Sequence, residues 1–349
     1  MRAPFVWFGG KRRVAPEVWA ALGDVPNYIE PFAGSLAVLL GRPHDMSNGT
    51  RRAETVNDAD GFLANFWRAL AHDPEAVAHW CDWPVNEVDL FARHLWLVNT
   101  GRSRLLEGME ADPDFYDAQV AGWWVWGVNA WIGSGWCSGD GPWVDTGDGI
   151  GKRPHLGDAG QGVKRQLPHL GTAGQGVNRQ LPHLGDAGRA GYNNMEYRPN
   201  VLGYFEELAG RLRDVRVCCG DWSRVCTSGA MSYGSRVGVF LDPPYLGDVR
   251  TADLYAVDDH TIAHAVRDWC LEHGDDPRLR IVLAGYRAEH DDLMPDTWRR
   301  HYYSASAAYS TTESAARQDG NHANRANEVL WFSPHCVTPD RQGELWEAL

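Results

Sequence analysis

Asp242-Pro243-Pro244-Tyr245 directly follows the apolar run Gly238 to Leu241 (GVFL), and it holds the residue types needed to grip an amino group on an aromatic ring. Such a nitrogen is a poor nucleophile because its lone pair is delocalised into the ring. Two acceptors, the Asp242 carboxylate and a proline carbonyl, would bind its two hydrogens and favour a pyramidal nitrogen with an available lone pair. The prolines fix the backbone and carry no N–H, leaving nearby carbonyls free to accept. Tyr245 would stack on the base, a contact worth roughly 1–3 kcal/mol in nucleic-acid systems. The plain alternative is a Pro-Pro turn with a surface tyrosine. The strand-like run before it and the motifs below weigh against that reading.

Four other groups bear on the same chemistry. Glu30-Pro31-Phe32-Ala33-Gly34-Ser35 is a glycine turn between a strand and a helix, where a nucleotide-like cofactor can approach the backbone at a helix N-terminus. Trp7-Phe8-Gly9-Gly10-Lys11 is aromatic, flexible and cationic, suited to bring Lys11 near a carboxylate. Asn57-Asp58-Ala59-Asp60 follows a second strand, where an acid suits ribose hydroxyls; an ordinary helix cap is the alternative. In Gly220-Asp221-Trp222, Asp221 can accept from a cofactor adenine and Trp222 can pack on it, or Asp221 can simply cap.

These residues need a scaffold that brings them to one edge. Asn27 to Phe32 reads as a short buried strand, followed by a helix over Ser35 to Leu40 with Ser35 as a possible N-cap. A second strand ends near Val56, and Asn57 to Asp60 opens an amphipathic helix over Phe62 to Leu70. Strand, glycine turn, helix, strand is the opening of an open α/β sheet. After Asn200 the pattern resumes: helix Val201 to Leu212, strand Val215 to Cys219, strand Gly238 to Leu241, helix Asp259 to His273, strand Arg280 to Leu283 and an extended stretch Glu328 to Phe332. Ligands of such sheets bind beyond the C-terminal strand ends.

The stretch from about 71 to 205 differs. Helical segments (Glu75 to Trp83, Asn86 to Thr100) lead to a tryptophan-rich segment from Gly122 to Trp143, read chiefly as a small buried core. Then PHLGDAGQGVKRQL, PHLGTAGQGVNRQL and PHLGDAGRAGYNN start at Pro154, Pro168 and Pro182, a period of 14 residues rich in turn formers. Between Lys152 and Gly191 six Lys/Arg face only Asp158 and Asp186. Arg153, Lys164, Arg165, Arg179 and Arg189 are the candidates for phosphate contacts, with Gln166, Asn178 and Gln180 for base edges. The recurrent His155, His169 and His183 are explained by duplication rather than by a metal.

Composition narrows the class. The 349 residues are 44% hydrophobic, enough for one large domain or two, and carry a net charge of −13. An acidic body argues against coating nucleic acid everywhere but permits a local basic surface. Seven scattered cysteines without CxxC read as reduced thiols, and no apolar run approaches about 20 residues. A cytoplasmic monomer is expected, in the host's cytoplasm were the source viral, with neither membrane nor metal.

In their joint order the five motifs resemble the Dam-type DNA adenine methyltransferases. That pattern runs from aromatic-x-Gly-Gly-Lys through Pro-Phe-x-Gly, Asn-Asp-x-Asn/Asp and Gly-Asp-aromatic to Asp-Pro-Pro-Tyr. The tail Ala326-Asn327-Glu328-Val329-Leu330-Trp331-Phe332-Ser333-Pro334 is similar to the end of such proteins. The resemblance covers about residues 4 to 70 and 200 to 335. It implies a Rossmann-like α/β catalytic domain over 1–70 and 200–349 and an inserted, mainly helical and loop-rich target-recognition domain over 71–199, with the repeats at about 154–194. It implies transfer of methyl from S-adenosylmethionine to the 6-amino group of a flipped-out adenine in double-stranded DNA, as in restriction-modification. Trp7, Lys11, Phe32, Gly34, Asp58, Asp221, Trp222 and Asp242 would contact the cofactor; Asp242, Pro243, Pro244 and Tyr245 would hold the adenine. The chain departs from the family where Leu36 replaces a frequent second glycine. Alternatives are a catalytically silent DNA-binding protein of the same fold and an amino-methyltransferase for another nucleobase.

Overall fold

The computed structural model describes residues 1–5, 7, 9–43, 52–131, 136–137, 143–145, 150–152, 201–244, 262–303 and 328–338. Tyr245, the 14-residue repeats and the basic candidates Arg153, Lys164, Arg165, Arg179 and Arg189 lie outside them. In chain order the strands are β1 (Asn27–Glu30), β2 (Ala53–Asp58), β3 (Trp143–Asp145), β4 (Ile150–Lys152), β5 (Val215–Cys219), β6 (Val237–Leu241), β7 (Leu279–Tyr286), β8 (Arg299–Tyr303) and β9 (Glu328–Phe332). The helices are α1 (Ala15–Leu22), α2 (Ala37–Leu40), α3 (Gly61–His72), α4 (Pro74–Cys81), α5 (Glu87–Trp96), α6 (Arg102–Ala111), α7 (Ala118–Ala130), α8 (Val201–Leu212), α9 (Ile262–His273) and α10 (Arg287–His290).

The chain divides into two units, one of Met1–Val6, Asp58–Gly220 and Val249–Val257, the other of Trp7–Asn57, Asp221–Asp248 and Asp258–Leu349. In the second unit six strands stand in the order β2-β1-β6-β7-β9-β8. β1 runs parallel to β2 and β6, and β6 parallel to β7; β9 is antiparallel to both β7 and β8. Buried parallel strands read as continuous apolar runs, and Val237-Gly238-Val239-Phe240-Leu241 is buried throughout. From β1 the chain moves outward to β2 on one side; from β6 it moves outward to β7 on the other. The order therefore reverses between β1 and β6, and their C-terminal ends form the crevice where such sheets bind ligands.

The first unit is mainly helical. α3 starts on Asp60, whose carboxylate accepts from Phe62 and Leu63 N–H. α3 and α7 are tied by a reciprocal pair: Asn65 Nδ2 donates to Asp117 O and Asp117 N–H donates to Asn65 Oδ1, at 2.9 and 2.8 Å. Phe5, Phe66, Trp67, Trp124 and Phe205 form one aromatic core, with Phe5 5.3 to 5.6 Å from three of these rings. The tryptophan-rich segment thus supplies core, as Trp124 and Trp126 are each 1% exposed. Arg93 lies over Trp83, Trp123 and Trp126, nearest Trp126 at 4.3 Å.

One local expectation is corrected. α2 does not start on Ser35; Leu36 is its cap residue, in a left-handed conformation (φ 54°) and without a side-chain cap bond. Gly34 also has positive φ (47°), so the chain turns twice before a helix can begin. No helix among the described residues is long and apolar enough to cross a membrane, and all seven cysteines are free thiols.

Two consequences can be measured. Leu36 is 0% exposed, so its burial opposes the cost of about 1–2 kcal/mol that a left-handed β-carbon carries. Leu36→Gly is expected to lower the unfolding free energy by about 1–3 kcal/mol in urea titrations, because lost burial outweighs relieved strain; a more stable variant would reverse that ordering. The second concerns Glu30, 2% exposed on β1, whose carboxyl burial pushes from 4.5 up to about 8. The folded protein keeps this proton where the unfolded chain releases it, so the contribution to stability is full below about pH 4.5 and is lost as pH rises through about 8. Between those limits wild type should lose more stability than Glu30→Gln; parallel curves would mean that Glu30 ionises normally.

Candidate active site

The crevice at the β1/β6 reversal is built by two loops and one turn. After β1 the chain passes Pro31, Phe32, Ala33 and Gly34. Asn57, at the end of β2 and 1% exposed, clamps this loop: its Nδ2 donates to Pro31 O at 3.0 Å, and its carbonyl accepts from Ala33 N–H at 2.8 Å. Ala33 O then accepts from Leu36 N–H at 2.8 Å. Asn57 is a functional residue that the sequence reading passed over in favour of Asp58. Its signal was the amide type itself, since only a side chain with both donor and acceptor can tie a neighbouring loop while its own strand continues.

Gly34 is required for closeness as well as for its positive φ. A Cβ there would lie 2.9 Å from Cδ1 and Nε1 of Trp7, so the N-terminal turn packs flat against the loop. Gly10 N–H closes that turn onto Trp7 O at 3.2 Å. Lys11 follows in a short 3-10 turn (Lys11–Arg13) and is 5% exposed. Its ammonium donates to Gly9 O at 2.7 Å and pairs with Asp242 Oδ1 at 3.0 Å. Two of the sequence candidates, 231 positions apart, are thereby brought into direct contact. Lys11 was expected to meet a carboxylate, and in the protein itself that carboxylate is Asp242.

Two further acids surround this pair, and neither was singled out as a site residue. Glu30 accepts from Tyr28 Oη at 3.0 Å and from Leu39 N–H at 3.3 Å; burial raises its pKa most, and the negative charge of Asp242 adds to the effect. Glu328, at the start of β9, is also raised by burial, with the Lys11 charge pulling it down and that of Asp242 pushing it up. An ammonium among three carboxyls, two of them disposed to hold protons, is a site where Asp242 serves as the principal counter-ion.

Beside the loop, Phe32 and Trp222 stack with centroids 6.1 Å apart and planes inclined by 27°. Both are half-buried, so they present aromatic surface of the kind that receives a purine. Trp222 leans edge-on against Trp269 at 6.4 Å. Asp221 is exposed and caps the following turn, accepting from Ser223 N–H at 2.9 Å. Asp58 belongs to the first unit, where its Oδ1 accepts from Asp60 N–H at 2.9 Å and its carbonyl from Gly220 N–H at 3.0 Å. Pro243 and Pro244 continue from Asp242 beyond β6; Tyr245 lies outside the described residues. Among the described residues no group of three or more His, Cys, Asp or Glu side chains is placed to hold a metal ion.

A search of curated proteins finds no match to the chain. Residues 7–85, by contrast, match the model of the D12 class N6 adenine-specific DNA methyltransferase family. The matched stretch contains Trp7, Lys11, Glu30, Phe32, Gly34 and Asn57, the residues that form one wall of the crevice. That match, falling on the turn and loop packed beside Asp242, identifies the chain as an N6 adenine-specific DNA methyltransferase of the D12 class.

Proposed function

We propose that the chain transfers methyl from S-adenosylmethionine directly to the amino nitrogen of an adenine flipped out of double-stranded DNA, with Asp242 as principal acceptor. The Lys11–Asp242 pair at 3.0 Å, at the mouth of the β1/β6 crevice, is the observation that carries this reading. The residues present fit the donor: Gly34 leaves backbone open beside Trp7, and Phe32 and Trp222 offer aromatic faces. When bound, the donor supplies a sulfonium methyl group. Trp7, Lys11, Phe32, Gly34, Asp58, Asp221 and Trp222 are its proposed contacts, together with Asp242.

Asp242 and the carbonyl of Pro243 or Pro244 accept the two amino hydrogens of the adenine. This draws the nitrogen lone pair out of ring conjugation and aims it along the line of attack. A carboxylate has two oxygens with about four acceptor positions, so pairing Oδ1 with Lys11 leaves acceptor capacity for the base. As the N–CH3 bond forms and the S–CH3 bond breaks, one amino hydrogen leaves as a proton through Asp242 to solvent. Tyr245 would stack on the extruded base, offsetting part of the few kcal/mol that flipping costs.

The domain assignment follows: a catalytic part over 1–70 and 200–349, and target recognition over 71–199. Arg153, Lys164, Arg165, Arg179 and Arg189 would contact phosphates there, supported by the concentration of positive charge between Lys152 and Gly191 on a chain of net charge −13.

Asp242→Ala should reduce transfer of labelled methyl to adenine-containing DNA by at least about 100-fold with the fold intact, in line with the loss of a preorganised polar partner. Full activity in that variant would place the acceptor elsewhere. Deleting residues 152–191 should weaken DNA binding and flatten its salt dependence, by about 0.9 in log–log slope for every phosphate that is no longer neutralised, while donor affinity stays unchanged. Equal DNA affinity before and after the deletion would remove the repeats from the binding account.

A further inference from the structure

Resting on the assignment of Asp242 as acceptor, we propose that Glu328 is a positioning residue: with Asp242 it brackets the Lys11 ammonium and so fixes the orientation of the carboxylate that receives the adenine amino group. The sheet supplies the geometry. β6 and β9 flank β7 on opposite sides. Asp242 follows Leu241, which pairs with Leu283 on β7, while Glu328 stands opposite Tyr286 on β7 and Tyr303 on β8. Both acids therefore stand at the C-terminal edge of β7, on strands about 10 Å apart, a span that lysine and glutamate side chains close between them.

Burial makes the arrangement informative. Glu328 is 6% and Lys11 5% exposed, so neither group has bulk water to offset its charge and each needs partners within the protein. The rest of β9, Val329-Leu330-Trp331-Phe332, is apolar and buried. An acid at the head of such a strand costs desolvation that an apolar residue would avoid, and packing alone gives no reason for it. The field of Lys11 on Glu328, and that of Asp242, show which groups it faces. Held from two sides, the ammonium stays on Asp242 Oδ1. With Glu328 gone, the ammonium is held from the side of Gly9 O and Asp242 alone, and the carboxylate gains freedom to rotate.

The test is a double-mutant cycle on the full chain, reading kcat and KM for DNA methylation. Glu328→Met should lower kcat by roughly ten- to hundredfold with KM for DNA little changed, the scale expected from misplacing a reacting group by about 1 Å. Glu328→Gln, which keeps one oxygen, should recover part of the loss. In a Lys11→Met background the effect of Glu328→Met should largely vanish, because two residues acting through one contact are not additive. A kcat within about twofold of wild type in folded Glu328→Met, or an equal loss with and without Lys11, overturns the proposal. Should Glu328→Met fail to fold in thermal melts, Glu328→Gln takes its place in the cycle. Asp242→Ala run in parallel separates the two readings: if it is inactive while Glu328→Met is normal, the positioning role alone falls; if it is active, both fall.

Discussion

A lysine with almost no exposure must find its counter-charge inside the protein, and in this chain that requirement joins the first turn to the end of β6. Lys11 is buried against Gly9 O and Asp242 Oδ1. Removing either partner of such a pair leaves a buried charge, which is far costlier than the net value of the pair itself. The contact is therefore less a source of stability than a specification: Lys11 and Asp242 are satisfied together only if the N-terminal turn and the strand end meet. The same contact sets one oxygen of the acceptor carboxylate, so the constraint that organises the fold also orients the chemistry.

The loop after β1 shows a second level of specification. Two positive φ values, at Gly34 and Leu36, fold the chain back before α2, and the clamp from Asn57 holds the first turn of that path. Gly34 can take this conformation and also admit Trp7 at contact distance. Leu36 takes a similar conformation at a cost, and its complete burial is the compensating term. The departure from the family's second glycine is thus absorbed as core packing, and the left-handed backbone explains why a glycine would suit the position.

The helical unit uses its aromatic residues differently. Phe5, Phe66, Trp67, Trp124 and Phe205 fill one core, and three tryptophans surround the guanidinium of Arg93. Arginine tolerates such a site because its delocalised charge is weakly hydrated and stacks on aromatic faces. Large rigid rings give much buried area for little conformational entropy, which suits a unit built from short helices.

Residue type and local order alone were enough to announce the α/β pattern, the glycine turn, the capping carboxylate of Asp60 and the strand ending in Asp242-Pro243-Pro244. Each depends on neighbours within a few positions, where hydrophobic period and turn chemistry are decisive. β8 went unread because Arg299–Tyr303 is a half-exposed edge strand without a clear alternation. Likewise Ser35 looked like a cap because capping preference says nothing about the dihedrals that Gly34 and Leu36 adopt. The tertiary structure alone decided that Lys11 meets Asp242, that Asn57 rather than a neighbouring acid clamps the loop, and that Glu30 and Glu328 surround the pair. Those outcomes depend on burial and on charges brought together from distant parts of the chain, and neither desolvation nor a Coulomb field is written in the identity of a single residue.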